Sequence, residues 1–320
     1  MVSTTTGNTR RWFDSLLIVT CCLPVLLPFG CRGPLSENKE PVVIVTPLPE
    51  KAPADVSTSA ILTVMSLNVA HGRSDERHQL LRSKQALVSH LDGIASLFIR
   101  ERPDIAGLQE ADGKSFWSGS FNHVEYIAKK ANYHSYVRAS NVSSAKLEYG
   151  TAFISQIPME DTVAHTFKAK FMSFPKGFIK TTIRLEGMPD VPVDLVSVHL
   201  DFLWNRTRIR QINEIIETLK DNRNPLIIMG DFNCEFTGKD SALPTLCTAL
   251  NLKPYQPEMK DITFFFWKTR YDWIFISDGL EFIEYRTLPD VVSDHQPVLA
   301  RIKIMRPAAQ MIEPERDDNP

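Results

Sequence analysis

A short apolar run that ends in a polar turn constrains the fold of this chain more than any other feature of its sequence. The run begins at Leu226, after a proline, and reads LIIM before Gly230, Asp231, Phe232 and Asn233. Apolar runs of this length, bounded by proline and glycine, are typical of buried strands. At the strand end a carboxylate can take a proton or hold a cation, and a carboxamide two residues later can orient an oxyanion. An Asp-Asn turn with only a structural role is the alternative interpretation.

The length and the charge of the chain limit its function class. Its 320 residues are enough for one large α/β domain or two smaller ones. The formal net charge of -2 gives no electrostatic footprint for nucleic acid, because domains that bind it are usually clearly basic. An enzyme that holds its substrate briefly needs no such field. The five cysteines show neither a zinc-site spacing nor a disulfide framework.

The N-terminal residues 1–31 resemble an export leader. Two arginines precede an apolar stretch over residues 15–29, and a glycine follows it, as in a secretory signal. Cys31 is similar to the lipid-attachment cysteine of bacterial lipoproteins, although Pro28 stands where that signal usually has leucine. We therefore expect an exported protein, periplasmic or at the cell surface, that is anchored to the membrane as a lipoprotein through Cys31. An uncleaved membrane anchor is the alternative.

Proline placement separates a spacer from the folded part of the chain. Residues 32–59 contain five prolines, which favour a semi-extended linker without regular structure. Such a linker would hold a domain away from a membrane surface. One folded domain is expected over residues 60–306, followed by a flexible, charged tail over residues 307–320.

Hydrophobic periodicity predicts a mixture of strands and helices within this domain. Helices are predicted where apolar residues recur every three or four positions, and strands where short apolar runs or strict alternation occur. The predicted helices span residues 79–100, 123–131, 209–220 and 243–250. The predicted strands span residues 61–69, 104–108, 133–138, 149–155, 162–167, 178–185, 191–199, 226–229, 271–276, 282–288 and 298–304.

Polar side chains of catalytic type stand where these strands begin or end: Asn68, Glu110, His199, Asp231 with Asn233, Asp272, and Asp294 with His295. Such clustering is expected of a site at one rim of a sheet. Each residue also has a structural interpretation, such as a turn cap for Asn68, a solvated helix start for Glu110, or a buried structural histidine for His199. Their joint order along the chain is far more specific than any one of them.

This order resembles that of the endonuclease/exonuclease/phosphatase family, the superfamily of DNase I, abasic-site endonucleases, neutral sphingomyelinases and inositol polyphosphate 5-phosphatases. The matching segments are SLN at 66–68, GLQE at 107–110, YGTA at 149–152, SVHL at 197–200, GDFN at 230–233, RYDWIF at 270–275 and SDHQPV at 293–298. The resemblance implies an α/β (α+β) fold, a DNase I-like four-layer α/β/β/α sandwich of two packed, mostly antiparallel sheets with outer helices. It also implies a divalent-metal-dependent hydrolase of phosphoric ester bonds that cleaves a phosphodiester, or alternatively a phosphomonoester, by metal-assisted attack of water.

The resemblance further implies a metal site. Carried over by position, Glu110 would ligate Mg²⁺ (or Mn²⁺), with Asn68 beside it and Asp294 contributing a further carboxylate. Hard oxygen ligands suit Mg²⁺, which keeps several waters and contacts substrate phosphate. Tyr149 enters the implied catalytic set with the YGTA segment.

Catalytic roles are implied in the same way. His295 would be the general base that activates water, or the partner of the phosphate, and Asp272 would hold its ring. Asp231 and Asn233 would orient the nucleophile and the phosphoryl oxygen, and some members of the family are argued to use the aspartate as the base. His199 would act as a second acid or as a phosphate clamp.

The sequence narrows the substrate only in part. His199 disfavours a dedicated abasic-site endonuclease, because enzymes that resemble the human one lack a histidine at this place. A DNase I-like nuclease and a membrane-associated lipid phosphodiesterase or phosphatase (sphingomyelinase- or phosphoinositide-like) both stay open, as does a catalytically inactive binding module.

Two basic segments bear on the same question. Basic and aromatic residues alternate over residues 167–180, which would suit a nucleic-acid backbone, an anionic membrane surface, or an edge hairpin with solvated lysines. Arg206, Arg208 and Arg210 are expected to meet a phosphate. Nothing in the chain demands an oligomer, so a monomer is expected.

Overall fold

Two β-sheets packed face to face form the centre of the protein, and helices cover their outer faces. The computed structural model describes the chain over residues 42–45, 59–74, 83–144, 146–168 and 174–306. The predicted leader, the predicted tail and most of the predicted linker lie outside these ranges. Within them, no helix combines the length and the apolar composition that a membrane crossing requires.

The strands, in chain order, are β1 Val42–Val45, β2 Ser59–Asn68, β3 Ile105–Asp112, β4 Ser135–Arg138, β5 Val142–Ser143, β6 Glu148–Ser155, β7 Glu160–Thr166, β8 Gly177–Leu185, β9 Met188–His199, β10 Leu226–Asp231, β11 Leu252–Pro254, β12 Asp272–Ser277, β13 Leu280–Thr287 and β14 Val298–Met305. The helices are α1 Lys84–Glu101, α2 His123–Lys130, α3 Asn205–Leu219 and α4 Leu243–Ala249. Short 3-10 turns lie at Ala70–Gly72 and Phe116–Ser118. Each predicted strand and helix is present with its predicted type, and the sequence analysis missed the short strands β5 and β11.

Each sheet contains one parallel pair of strands, which lies near its middle. The first sheet has the order β1-β4-β6-β3-β2-β14-β13, with β5 paired to β6. The second sheet has the order β11-β12-β10-β9-β8-β7. The pairs β2 with β3 and β9 with β10 are parallel, and the pairs that flank them are antiparallel. The ends of β2, β3, β9 and β10 therefore point to a common rim.

Three apolar clusters divide the molecule into four layers. The central cluster joins the facing sides of the two sheets, with Val64 and Ile302 from the first sheet and Leu195 and Met229 from the second. A second cluster joins the first sheet to α1 and α2, and a third joins the second sheet to α3 and α4. This arrangement confirms the DNase I-like α/β/β/α sandwich of two mostly antiparallel sheets.

Strand β1 corrects one expectation about the linker. The predicted absence of regular structure across residues 32–59 is wrong at Val42–Val45, which pairs antiparallel with β4. The strand consists of four β-branched residues, whose side chains favour extended backbone. Proline excludes a helix and a central strand but is compatible with an edge strand, and β1 lies at the edge of its sheet.

Candidate active site

The period-two alternation of four strands brings four polar side chains to one rim between the sheets. Along β2, β9, β10 and β12, the residues that belong to the central apolar cluster alternate with residues that face away from it. The alternation continues to the rim end of each strand, where the residue on the same face is Asn68, His199, Asp231 or Asp272. Asp231 pairs in register with His199 on one side and with Asp272 on the other. Strand geometry alone therefore assembles this group.

Glu110 reaches the rim by a different route. Residues Ala106 and Leu108 of β3 pack against the outer helices, so continued alternation would turn Glu110 to the same outer side. The register of β3 against β6 instead shifts between Leu108 and Ala111, and Glu110 has a φ of 52°. Such a bulge re-aims a side chain, and here it brings Glu110 to Lys176 and His199.

Asp231 accepts hydrogen bonds from several groups. Asn68 Nδ2 donates to its Oδ2 at 3.1 Å, and the Asn233 main-chain N–H donates to its Oδ1 at 2.9 Å. The Asn233 amide also donates to Oδ2, at 3.2 Å. Burial raises the pKa of Asp231 to about 7, and the nearby charge of Asp272 adds to this effect while that of His295 opposes it. A carboxyl group with a pKa near neutrality is suited to proton transfer.

The backbone before Asp231 requires a glycine. Gly230 has a φ of 148°, and a Cβ atom at this position would lie 2.0 Å from the Val198 carbonyl oxygen of β9. Only a glycine lets the two parallel strands approach so closely at the site.

His295 is held by a buried carboxylate. Its Nδ1 lies 2.8 Å from Asp272 Oδ2, and its Nε2 lies 3.8 Å from Asp231 Oδ2. Burial alone would lower the pKa of His295, but the charges of Asp272 and Asp231 outweigh it and raise the pKa to about 10. Thr263 Oγ1 accepts the main-chain N–H of Asp272 at 3.0 Å, and the Phe264 ring packs 4.8 Å from the imidazole. The ring therefore has a fixed orientation and favours the protonated state.

His199 has the opposite electrostatics. Its Nε2 lies 3.5 Å from Asp231 Oδ2 and 3.9 Å from Glu110 Oε1. Burial and the charge of Lys176 hold its pKa well below the usual value, so the imidazole is neutral at physiological pH. Two histidines with opposite protonation preferences thus lie beside the same aspartate.

Lys176 is a site residue that the sequence analysis missed. Its Nζ lies 3.4 Å from Glu110 Oε1 and 3.4 Å from His199 Nδ1, and its side chain is only 11 % exposed. Lys180 is also not solvated, because it pairs with the buried Asp194 at 2.9 Å. The interpretation of residues 167–180 as a hairpin with solvated lysines is therefore wrong for these two residues. Lys176 reaches the site because it directly precedes Gly177, which pairs in register with His199.

His71 is a second missed residue. Its Nε2 lies 3.2 Å from Glu110 Oε2, and its Nδ1 lies 2.6 Å from Asp112 Oδ1. The available signal was a histidine followed by glycine, three residues after Asn68. A histidine in a loop at that spacing can be assigned to the site only when the conformation of the turn that carries it is known.

The remaining predicted residues lie at the periphery of this group. Tyr149 packs edge-on against His71, with ring centroids 4.8 Å apart, on the Glu110 side of the rim. Burial raises the pKa of Asp294, and the charge of Glu110 adds to the increase. The Asn233 amide is occupied by Asp231 and by the Leu200 carbonyl oxygen at 3.0 Å.

Two of the three arginines expected to meet a phosphate donate to main-chain oxygens of the fold. Arg208 donates to the main-chain oxygens of Asp201 and Phe202, at 3.0 and 3.2 Å. Arg210 donates to the Lys168 main-chain oxygen at 3.0 Å. Both guanidinium groups therefore support loops of the fold.

The donor chemistry on the Glu110 side fits a divalent cation. Burial alone would raise the pKa of Glu110, but the charges of His71 and Lys176 outweigh it and lower the pKa, so the carboxylate stays ionised. Its side chain is 23 % exposed, which leaves it accessible from solvent. The Asn68 amide oxygen and the Asp294 carboxylate supply further hard oxygen donors of the kind that Mg²⁺ prefers.

A second group of possible ligands lies close by. One ligand atom each of Asp231, Asp272 and His295 lie within 4.8 Å of one another. Asp231 Oδ2 already accepts hydrogen bonds from Asn68 and Asn233, and Asp272 holds the Nδ1 of His295. This group therefore fits proton transfer better than the coordination of a cation.

Comparisons with known proteins identify a matching family profile and several solved structures with a similar fold. The profile described as "Endonuclease/Exonuclease/phosphatase family" matches residues 65–295, which include the polar residues of the rim. No curated protein matches the sequence significantly.

Several solved structures share the fold. A family protein from Bacteroides thetaiotaomicron superimposes with a TM-score of 0.61 at 17% identity, over 78% of this chain and 100% of that one. A mannosyl-6-phosphatase from the same organism gives 0.58 at 17% identity, over 75% and 99%. The catalytic domain of human Nocturnin, with a bound sulfate anion, gives 0.56 at 18% identity, over 76% and 94%. At these identities the likeness concerns the fold alone.

Proposed function

The chain belongs to the endonuclease/exonuclease/phosphatase family, whose members hydrolyse phosphoester bonds, and we propose that it is a Mg²⁺-dependent phosphodiesterase. The observation that carries the proposal is the meeting of Glu110, His199, Asp231 and His295 at one rim. There the histidine and carboxylate atoms lie 3.5 to 3.9 Å apart. At these distances the four side chains can all contact one phosphoryl group that binds against them at the rim.

A divalent cation would be held by Glu110, with the Asn68 amide oxygen and the Asp294 carboxylate as further donors. When bound, such a cation polarises the phosphoryl oxygen and offsets charge on the leaving oxygen, which contributes several kcal/mol to catalysis. The remaining side chains of the rim bind the phosphate and accept the proton of the attacking water.

We propose that Asp231 is the general base and His295 the cationic partner of the phosphate. Asp231, with a pKa of about 7, accepts the proton of the attacking water, and Asn68 and Asn233 hold its carboxylate in place. His295, with a pKa of about 10 and a ring held by Asp272, donates from Nε2 to a phosphoryl oxygen.

Lys176 and His199 complete the proposed phosphate site. The Lys176 ammonium contributes a second positive charge beside that of His295, and its hydrogen bond to a phosphoryl oxygen would be charge-assisted. The neutral His199 contributes a hydrogen bond without adding charge. Together they bind and orient the phosphate while Asp231 removes a proton from water.

The first test uses an unspecific diester. Bis(p-nitrophenyl) phosphate is assayed with Mg²⁺, with a chelator, and with the variants Asp231→Ala and His295→Ala. We expect the chelator to abolish hydrolysis, Mg²⁺ or Mn²⁺ to restore it, and each variant to lose at least about 100-fold in rate, as for removal of a general acid or base. The matched control is His165→Ala, which removes a histidine paired with Glu214 at 3.1 Å outside the rim. Near wild-type turnover in both site variants would defeat the proposal.

A substrate panel then separates the remaining alternatives. Plasmid DNA, RNA, sphingomyelin and phosphoinositides are compared in the presence of Mg²⁺. Cleavage of DNA or RNA supports a DNase I-like nuclease, and cleavage of a lipid supports a membrane-associated lipid phosphodiesterase or phosphatase. A folded protein that binds neither Mg²⁺ nor Mn²⁺ would instead support a catalytically inactive binding module.

We further propose that the protein is exported and anchored at the cell surface through Cys31. The support is the leader pattern of residues 1–31, followed by the proline-containing linker. Mass spectrometry of the mature N-terminus tests the proposal, because an intact Met1 contradicts export with cleavage.

A further inference from the structure

His71 lies between two carboxylates on the Glu110 side of the rim. Its Nδ1 is 2.6 Å from Asp112 Oδ1, and its Nε2 is 3.2 Å from Glu110 Oε2. The residue is 8% exposed, so the ring has little freedom to turn away from either partner. One edge of the Glu110 carboxylate is therefore in contact with a fixed imidazole.

The Asp112 carboxylate is itself fixed by its neighbours. It is completely buried, and its second oxygen, Oδ2, accepts the indole N–H of Trp117 at 2.8 Å. Both oxygens of Asp112 are thus engaged by neighbouring rings, and the carboxylate serves to orient His71. The Trp117 ring also packs 5.1 Å from the imidazole, which fixes the ring plane from a second side.

The backbone that carries His71 is strained. Ala70 has a φ of 44° and His71 a φ of 56°, both in the left-handed region that non-glycine residues rarely adopt. Hydrogen bonds from Gly72 N to Val69 O at 2.7 Å and from Ala70 N to Asn68 Oδ1 at 3.0 Å close the turn. Strained residues of this kind cluster at functional sites, where surrounding contacts maintain them. Here the turn directs His71 back towards the rim.

We infer that His71, oriented by Asp112 and Trp117, is a positioning residue for Glu110. This inference rests on the proposed function, in which Glu110 holds the cation. Because His71 occupies the Oε2 side, Glu110 presents Oε1 to the rim in a fixed direction. Ligating carboxylates are commonly held by such hydrogen-bonded partners, and removal of a partner costs about 10- to 100-fold in metal affinity.

The opposite side of the rim has a similar chain of groups with a different task. There Asp272 holds His295, which faces Asp231. In both chains a buried aspartate holds an imidazole that faces a second carboxylate, and in the chain of Asp112 that second carboxylate is the one proposed to hold the cation.

The test measures Mn²⁺ binding by calorimetry, without substrate, for the full chain and for His71→Asn, Asp112→Asn and Trp117→Phe. We expect His71→Asn to weaken Mn²⁺ binding by about 10- to 100-fold. Asp112→Asn and Trp117→Phe are expected to cause smaller losses in the same direction, because His71 remains but is less constrained. The Mg²⁺ concentration for half-maximal hydrolysis should rise in parallel and the rate should recover at high Mg²⁺. His165→Asn is the matched control and should bind Mn²⁺ as the wild type does.

The outcomes separate the two proposals. Wild-type Mn²⁺ affinity in folded His71→Asn overturns the positioning role and leaves the phosphodiesterase proposal intact. A wild-type protein that binds no Mn²⁺ overturns both. If His71→Asn does not fold, the Mn²⁺ affinity of Trp117→Phe tests the positioning role instead. This variant keeps an aromatic ring beside His71, and an unchanged Mn²⁺ affinity would overturn the inference.

Discussion

The replacement Asp272→Asn separates catalysis from stability at the proposed site. The side chain keeps its size, but the 2.8 Å contact with His295 Nδ1 loses the negative charge that supports the imidazolium. A hydrogen bond between charged groups contributes about 1.5–3 kcal/mol, which corresponds to a loss of about 10- to 150-fold in rate if it is lost in the transition state.

The same replacement changes the pH dependence. The charge of Asp272 raises the pKa of His295, so its removal lowers that pKa, and the alkaline limb of the rate profile moves to lower pH. Asp272 also raises the pKa of the neighbouring Asp231, so its neutralisation makes Asp231 easier to ionise. The acid limb is therefore expected to move to lower pH as well.

Asp194→Asn is the matched control, because Asp194 is equally buried in the neighbouring region of the second sheet. It accepts a hydrogen bond from Thr182 Oγ1 at 2.6 Å and pairs with Lys180 at 2.9 Å, outside the rim. Its neutralisation leaves a buried ammonium without its partner, and we expect a loss of about 3 kcal/mol in the free energy of unfolding. The rate per folded molecule should not change.

The assay combines denaturant unfolding with hydrolysis of bis(p-nitrophenyl) phosphate from pH 5 to 9. Both variants are expected to lose stability, because each leaves a largely buried cation without its carboxylate, but only Asp272→Asn is expected to lose rate per folded molecule. If Asp272→Asn keeps its rate within about twofold, less than the smallest loss calculated above, the assignment of His295 as an oriented cation is wrong. A rate loss in Asp194→Asn of the same size would show that the effect is a general consequence of buried charge.

Three further predictions follow from the geometry. Gly230→Ala should lower the free energy of unfolding, measured by urea denaturation, by about 3 kcal/mol, because the added methyl group would meet a main-chain oxygen at 2.0 Å. The control is Gly279→Ala, which also has a positive φ, of 80°, but has open space around the new methyl group. It should lose only about 1 kcal/mol. The wild-type rate should rise with pH through about 7, because the base Asp231 must lose its proton to act and burial raises its pKa; a rate that is flat from pH 5 to 8 would contradict this. Lys176→Met should reduce kcat/KM by about 10-fold or more, because it removes a charged hydrogen-bond donor. Lys180→Met, in the strand β8 that follows Lys176, should leave kcat/KM of the folded enzyme unchanged.

The sequence predicts the part of the site that depends on strand alternation. Asn68, His199, Asp231 and Asp272 each end or begin a strand whose apolar residues alternate, so their side chains fall on the face that packs against the opposite sheet. The period of two is a local property, and it needs no knowledge of the rest of the chain. The same reasoning, together with the matching segments, anticipates the four layers.

Alternation does not predict the site residues whose positions depend on an irregular backbone or on the register between distant strands. Glu110 and His71 both have positive φ values. Glutamate gives no signal for a left-handed conformation, and the enrichment of histidine there is too weak to locate such a residue in a sequence. The contact of Lys176 depends on the register between β8 and β9, which pairs Gly177 with His199 across 22 positions of sequence. Pairing over such a distance is set by the packing of the whole sheet, so the sequence analysis missed this residue.

Strand β1 has a practical consequence for the choice of chain ends. It covers β4, which would otherwise form the outer edge of the first sheet. A shortened protein that starts at Ala60, as the predicted domain limits suggest, would leave the backbone N–H and C=O groups of Ser135–Arg138 without β1. Uncovered edges of this kind recruit strands from other molecules, so such a protein should self-associate and precipitate more readily than one that retains Val42–Val45.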